Sequence, residues 1–228
     1  MDKTKRTGII FKKFDKRGSI GREIEMSYYQ NMRPEIVKFL PHGYSKVLEI
    51  GCGEGNFRLN LQQDCEYWGI EPCKTVEKSA NILIGTYEEV SDKLPDDYFD
   101  LIICNDVIEH INDTHEFLLS VKKKMKKDSF IVGSVPNVRF IGNLIELLIK
   151  KDWEYKKEGV LDKTHIRFFT KKSFQRIVKD SGFIIEEIEG INGLTAQTLS
   201  VKSVAIKTLT CLLGRDSHFL QFGFRIKY

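Results

Sequence analysis

The stretch Val47-Leu48-Glu49-Ile50-Gly51-Cys52-Gly53-Glu54-Gly55 constrains the chain most, because an apolar strand runs there into glycines at every second position and then into a helical pattern. Side chains at those glycines would fill the space of anything lying on the loop. A strand that ends this way lets the backbone come very close to a nucleotide-like ligand.

The segments around it repeat a strand–helix rhythm. Ile24 to Leu40 reads as one or two amphipathic helices, with Pro34 suited to the first turn of the second. Strands are expected at residues 46–50, 66–70, 81–84, 99–104, 129–135, 183–188 and 218–228, with Gly85-Thr86-Tyr87-Glu88 as a loop. Helices are expected at 56–63, 114–125 and 171–180. Within the strand expected over Phe99 to Cys104, the run Leu101 to Cys104 is continuously apolar, as a parallel strand covered on both faces should be. The alternation predicts a doubly wound α/β sheet with helices on both faces. Two stretches interrupt the rhythm as lid-like insertions, about 137–170 and 194–213. The expected organisation is a basic arm at 1–22 followed by a single domain at 23–228.

Charge separates arm from body. The formal net charge is +4, but residues 1–22 hold eight Lys/Arg against Asp2 and Asp15, so the body is slightly acidic. Such an arm suits a solvated terminus, or contact with nucleic acid or an anionic membrane. The run Lys122 to Lys127 is expected to close a helix, where cations are favourable, and nucleic acid is disfavoured as its partner. The five cysteines form no CxxC pair and no zinc spacing, so neither a disulfide framework nor a metal site is read, and a reducing, cytoplasmic setting is expected. The apolar stretches 141–149 and 201–213 are too short to span a bilayer and suit peripheral membrane contact.

Two ligand classes use a glycine loop of this kind. The third glycine, Gly55, falls one place early for the dinucleotide pattern G-x-G-x-x-G, whereas the acidic-x-G-x-G-x-G form used for S-adenosylmethionine fits with Glu49 as its acidic residue. Glu71 closes the second strand, where a carboxylate matches the two hydroxyls of a ribose. Asn105 and Asp106 close the fourth.

With these residues the chain resembles the class I S-adenosylmethionine-dependent methyltransferases. Val47 to Gly55 matches that family's first motif, Gly69-Ile70-Glu71-Pro72 its ribose motif, and Asp100 to His110 its fourth-strand motif. The ending Asp106-Val107-Ile108-Glu109-His110 resembles the ubiquinone-pathway O-methyltransferases. Ser134 to Arg139, together with Leu161 to Thr170, is similar to bacterial methyltransferases of cell-surface polysaccharide and glycan biosynthesis. The resemblance implies a seven-stranded, mostly parallel Rossmann-like sheet with an antiparallel last strand. It also implies a cofactor site of Glu49, Gly51, Cys52, Gly53, Gly55, Asn56, Glu71, Pro72, Asn105, Asp106, Val107 and His110. Where the family usually has an acidic residue after Gly85, this chain has Thr86, so the adenine is expected on the Thr86 hydroxyl or the backbone near Tyr87.

Methyl transfer from a sulfonium depends chiefly on positioning an acceptor opposite the departing sulfur. If the acceptor is a hydroxyl, a histidine is the natural base. His165 is the first candidate, crowded by Asp162, Thr164 and Arg167. His110 either shares that role or braces its loop. Arg167 suits a substrate anion, or an ion pair with Asp162 or Glu158. Tyr28, Arg33, Asn137 and Arg139 complete the expected substrate side. Trp153, Tyr155, Phe168 and Phe169 are read as an aromatic wall for a ring, or as core. The expected activity is O-methylation of a small molecule or glycan precursor by a monomer or homodimer. An RNA methyltransferase and an inactive cofactor-binding partner are the alternatives.

Overall fold

The computed structural model describes residues 32–73, 81–194, 209–210 and 212–228. The basic arm, Tyr28 and most of the 194–213 insertion lie outside the described residues.

Seven strands form one sheet in the order β3-β2-β1-β4-β5-β7-β6. They are β1 (Lys46–Ile50), β2 (Glu66–Glu71), β3 (Ile82–Ile84), β4 (Phe99–Asn105), β5 (Met125–Pro136), β6 (Ile184–Gly193) and β7 (Phe219–Lys227). β1 pairs parallel with β2 and β4, and β7 runs antiparallel between β5 and β6. The mixed sheet is the one expected, with only its last strand reversed.

Alternation along the buried strands sorts their side chains onto two faces. Leu48, Ile102, Cys104, Ile131 and Val135 pack on one face with Phe117, Leu118, Val121, Phe174 and Val178. Those partners come from two helices, Thr114–Lys124 and Lys171–Asp180. Val47, Leu101, Ile103 and Val132 pack on the other face against Ile36, Phe39, Phe57 and Leu61. Phe39 is fully buried, and a Cβ on Gly223 of β7 would stand 2.3 Å from its ring. Burying a side chain of this size contributes about 1.5–3 kcal/mol, so a bare backbone at position 223 is what seats the N-terminal segment on the sheet.

Several boundaries differ from the sequence reading for local reasons. Tyr87 and Glu88, expected in a loop with Gly85 and Thr86, open a helical turn, Tyr87–Val90 (α1), because the Thr86 hydroxyl accepts from the Glu89 N–H while the Glu89 carboxylate accepts from the Thr86 N–H. The segment after the glycine loop is a 3₁₀ turn, Asn56–Asn60, and not a helix to Gln63, since the chain must return at once to set Glu66 beside Lys46. Pro34–Phe39 is likewise a 3₁₀ turn. The helix Thr114–Lys124 (α2) starts on an Asp113 cap, whose carboxylate accepts from the Glu116 N–H at 3.0 Å. It stops one residue early, because Met125 already opens β5. In the 137–170 insertion, the helix Ile141–Ile145 (α3) runs into a wide turn at Glu146–Lys150. The helix Lys171–Asp180 (α4) has the expected bounds, fixed at its start by reciprocal Thr170–Ser173 hydrogen bonds.

The lysine run is largely spoken for. Lys124 is buried against Leu94 O and Asp96, and Lys126 pairs with Asp100 at 2.8 Å. Lys122 donates to Gly182 O and lies over the Phe183 and Tyr228 rings. Cys52, Cys65 and Cys104 are free thiols. Among the described residues no helix is long and apolar enough to cross a membrane.

Candidate functional site

The carboxyl ends of β1, β2 and β4 converge on the glycine loop. Gly51 sits at φ +71°, a conformation open to glycine, and both its N–H and that of Cys52 donate to Ile70 O at 2.8 and 3.0 Å. A Cβ at Gly51 would stand 2.7 Å from Val107 Cγ2, so loop and fourth-strand turn are in direct apposition. Gly53 donates its N–H to Glu71 Oε2 at 2.8 Å, and Cys73 donates its own to Oε1 at 2.9 Å. The Glu71 carboxylate is thus held still by two backbone donors. Each oxygen keeps a second lone pair, which is what a vicinal diol needs.

Glu49 lies beneath the loop, buried, and accepts the Tyr67 hydroxyl at 2.6 Å. Burial pushes its carboxyl up to about 8, with the Tyr67 hydrogen bond opposing and the nearby Glu71 charge adding. Cys52 is buried against Gly69, and its thiol is raised mainly by burial. Gly55, at φ +77°, leads into the turn that starts at Asn56, and Pro72 is exposed.

At the end of β4 two polar residues meet different fates. Both polar atoms of the Asn105 amide are buried with no hydrogen-bond partner among the described residues. Asp106, at φ +53°, accepts from Arg33 at 2.5 Å and from the Ser134 hydroxyl and Gln221 amide, each at 2.7 Å. Arg33 also pairs with Glu35 at 2.7 Å. Burial works against the guanidinium charge, but Asp106 and Glu35 outweigh it and raise its pKa. Arg33, expected on the substrate side, is committed to this knot. Thr86 and Tyr87 also turn to structural tasks. The hydroxyl of Thr86 caps α1, and the buried Tyr87 packs edge-on against Phe117 with its hydroxyl 3.2 Å from Ser120.

The fourth-strand loop and the 137–170 insertion bring together the adjacent Glu109 and His110 with His165, 55 residues beyond His110. His165 Nδ1 lies 3.0 Å from Val160 O, and His110 Nδ1 lies 3.1 Å from Thr164 O. A carbonyl only accepts, so both Nδ1 atoms carry a proton, and in the neutral form of each ring Nε2 keeps a lone pair. The rings meet edge to face with centroids 4.8 Å apart. Beside them lies Glu109, fully buried, with neither carboxylate oxygen hydrogen-bonded among the described residues. His165 Nε2 is 3.8 Å from Glu109 Oε1. Burial, reinforced by Asp106, drives the Glu109 carboxyl well above its ordinary range, and burial lowers the His110 imidazole, helped by His165. One ligand atom from each of the three lies within 4.8 Å of the others. The sequence reading named both histidines but missed Glu109; its signal, a carboxylate in the turn after a buried strand, was overshadowed by its neighbour.

The polar loop around His165 is polar because it has to dock. Asp162 accepts from the N–H and hydroxyl of Thr164 at 2.8 and 2.7 Å, shaping the turn that delivers His165. Ile166 and Arg167 donate their N–H groups to Glu109 O at 3.0 and 2.9 Å, and the Arg167 side chain caps Asn112 O. Neither ion pair expected for Arg167 is present. Asn137 is fully buried, its amide donating to Asp216 O and Phe219 O, and its oxygen accepting from the Arg139 N–H. Arg139 pairs with Asp216 at 2.7 Å. These two residues knot the insertion to the C-terminal segment and are turned away from the substrate role expected of them. Trp153 and Tyr155 surround Phe168, whereas Phe169 packs on Phe174 in the core.

A family model described as a methyltransferase domain matches residues 21–188. A ubiquinone biosynthesis O-methyltransferase of Rickettsia akari is 24% identical over 157 residues, covering 64% of this chain and 61% of that protein. The mitochondrial counterpart of Schizosaccharomyces pombe is 25% identical over 161 residues, 64% of this chain and 57% of that protein. The chain thus spans about three fifths of the length of the curated relatives it matches. Among solved structures, an S-adenosylmethionine-dependent methyltransferase from Archaeoglobus fulgidus superposes with a TM-score of 0.60 at 23% identity, covering 91% of this chain and 94% of that one. Another from Mesorhizobium loti gives 0.57 at 19% identity, with coverages of 86% and 96%.

Proposed function

Because the chain belongs to the class I S-adenosylmethionine-dependent methyltransferases, we propose that it methylates a hydroxyl oxygen on a ring-bearing small molecule or glycan precursor, activated at Glu109, His110 and His165. The observation that carries this reading is the pair of imidazoles whose carbonyl-bound Nδ1 atoms leave, in the neutral rings, Nε2 lone pairs free beside a buried carboxylate with no hydrogen-bond partner among the described residues. The named activity of the Rickettsia and Schizosaccharomyces relatives, O-methylation, supports oxygen as the acceptor atom.

The bound cofactor supplies a methyl group on a sulfonium. The groups suited to hold it are the Gly51–Gly55 backbone, the Glu71 carboxylate for the ribose and the orphaned Asn105 amide. The protein's own work is positioning and proton handling. Asp162 and the two N–H bonds onto Glu109 O hold His165 against the fourth-strand turn, and an acceptor hydroxyl reaching the cluster meets a group able to take its proton. Trp153, Tyr155 and Phe168 offer faces for a ring. Nucleic acid is disfavoured by the engagement of Lys122, Lys124 and Lys126 within the fold.

Radiolabelled methyl transfer to a panel of phenols and sugar hydroxyls tests the reading. His165→Ala should lower turnover by about a hundredfold while calorimetric cofactor affinity stays within a factor of two or so; unchanged turnover would remove the cluster from the mechanism. Glu71→Ala should instead raise the dissociation constant for S-adenosylhomocysteine by about tenfold to a hundredfold, the worth of hydrogen bonds to a charged group. An unaltered constant would count against its ribose role.

A further inference from the structure

We infer that the Glu89 carboxylate reads the 6-amino group of the cofactor's adenine, supplying from α1 the acidic group that this chain lacks directly after Gly85. The inference concerns the cofactor alone and stands whichever acceptor is methylated.

Strand order decides on which side of the ribose the base lies. β2 stands between β3 and β1, and β4 follows β1. With the ribose on Glu71 at the end of β2, the methionine part belongs over the glycine loop after β1 and the turn after β4, which are in direct apposition at Gly51 and Val107. The base is then left on the β3 side. The main chain beside it there is Gly85-Thr86, because Glu71 is in register with Ile84 and the Gly85 N–H donates to Glu71 O at 3.0 Å.

The carboxylate at that place comes from the helical turn that follows. Position 86 offers a hydroxyl, but it accepts the Glu89 N–H at 3.4 Å as a helix cap. Glu89 in turn reaches back over the loop, where its Oε2 accepts the Thr86 N–H at 2.8 Å. The bare backbone of Gly85 permits this approach, since a Cβ there would stand 3.1 Å from the same oxygen and 2.8 Å from Val90 Cγ1. Oε2 is thus fixed, while Oε1 has no hydrogen-bond partner among the described residues and the side chain is exposed. An exocyclic amine acts as a donor, and a positioned carboxylate with a free oxygen is the acceptor that suits it. Glu88, beside it and also exposed, makes no hydrogen bond to the loop among the described residues.

Deaminating the adenine exchanges the 6-amino donor for a 6-oxo acceptor and places a proton on the adjacent ring nitrogen. The test therefore compares S-adenosylhomocysteine with S-inosylhomocysteine by calorimetry on the full chain. Wild type should bind the adenosyl form about tenfold to a hundredfold more tightly, the worth of a hydrogen bond to a charged group. Glu89→Gln keeps an oxygen for the Thr86 N–H and turns an amide donor outward, so the preference should shrink to about threefold or less, or reverse. Glu89→Asp keeps the charge but is one methylene too short to close on the loop, and should lose the preference likewise. Glu88→Gln removes the same charge one residue away and should retain it. If Glu89 is a cap and nothing more, Glu89→Gln changes both affinities alike and leaves their ratio at the wild-type value. That result, or a wild type indifferent to the two ligands, overturns the inference. A chain that shows the expected ratios but methylates no hydroxyl would refute the acceptor reading and leave this one standing.

Discussion

Gly51→Val should yield a chain that folds less stably and no longer binds S-adenosylhomocysteine measurably. A β-branched residue at φ +71° is held in the left-handed region, which costs about 1–2 kcal/mol before any contact is counted. Its Cβ would then stand 2.7 Å from Val107 Cγ2, and overpacking of this kind costs about 1–3 kcal/mol. Together these lower the midpoint of thermal unfolding by roughly 5–15 °C in a chain of this size. The loop and the fourth-strand turn must part to relieve the clash, and Gly53 moves with them, releasing the N–H that holds Glu71. Scanning calorimetry with and without the cofactor product reads both effects. In a Gly51→Ala chain, adding Val107→Ala should recover the steric part and leave the backbone part. Unfolding midpoints and affinity equal to wild type would show that loop and turn are not in tight contact.

A second large effect concerns pH. Glu49 has an ordinary carboxyl value of 4.5 and is pushed up to about 8 by burial, with the Tyr67 hydrogen bond opposing and Glu71 adding. The folded chain therefore holds a proton that the unfolded chain releases between those values. Stability is lost from Glu49 as pH rises from about 4.5, and the loss is complete by about 8. At about 1.4 kcal/mol per pH unit the loss is on the order of several kcal/mol. Glu49→Gln keeps an oxygen for the Tyr67 hydroxyl and removes the proton, so the variant should match wild type near pH 5 and be clearly more stable near pH 8.5. The buried Glu109 contributes with the same sign in both chains and cancels in the comparison. Ligand-free unfolding midpoints across that range decide it, and parallel curves for the two proteins would refute the assignment.

The parts of the fold that were legible are those where one local pattern dominates. Leu101 to Cys104 is apolar throughout because β4 is covered on both faces, and Lys171–Asp180 has a polar capping pair at its start. Local patterns hid what depends on a distant partner. Thr86 and Glu89 form a capping box, but the helix it starts is a single turn, too short to show a periodic pattern beside Gly85. Asn137 and Arg139 look like substrate contacts until Asp216 and Phe219 are placed beside them. Ser134 and Gln221, which hold Asp106, carry no mark in the sequence, because Gln221 reaches Asp106 only through the antiparallel entry of β7 beside β5. The glycine loop was found from spacing alone, while Glu109 needed the loop from His165 to reveal its isolation.

That reversed strand also sets a timetable. Emerging from a ribosome, β1 to β5 can pair in the order in which they are made, yet Asp106 gains its Gln221 partner and Asn137 its Phe219 carbonyl only when β7 slides in beside β5. These contacts, the first across 115 residues of sequence, add to the hold that Arg33 and Ser134 already give Asp106. A chain halted before β7 would hold most of the sheet but leave Asp106 and Asn137 short of their C-terminal partners, so the bracing is completed only late in synthesis.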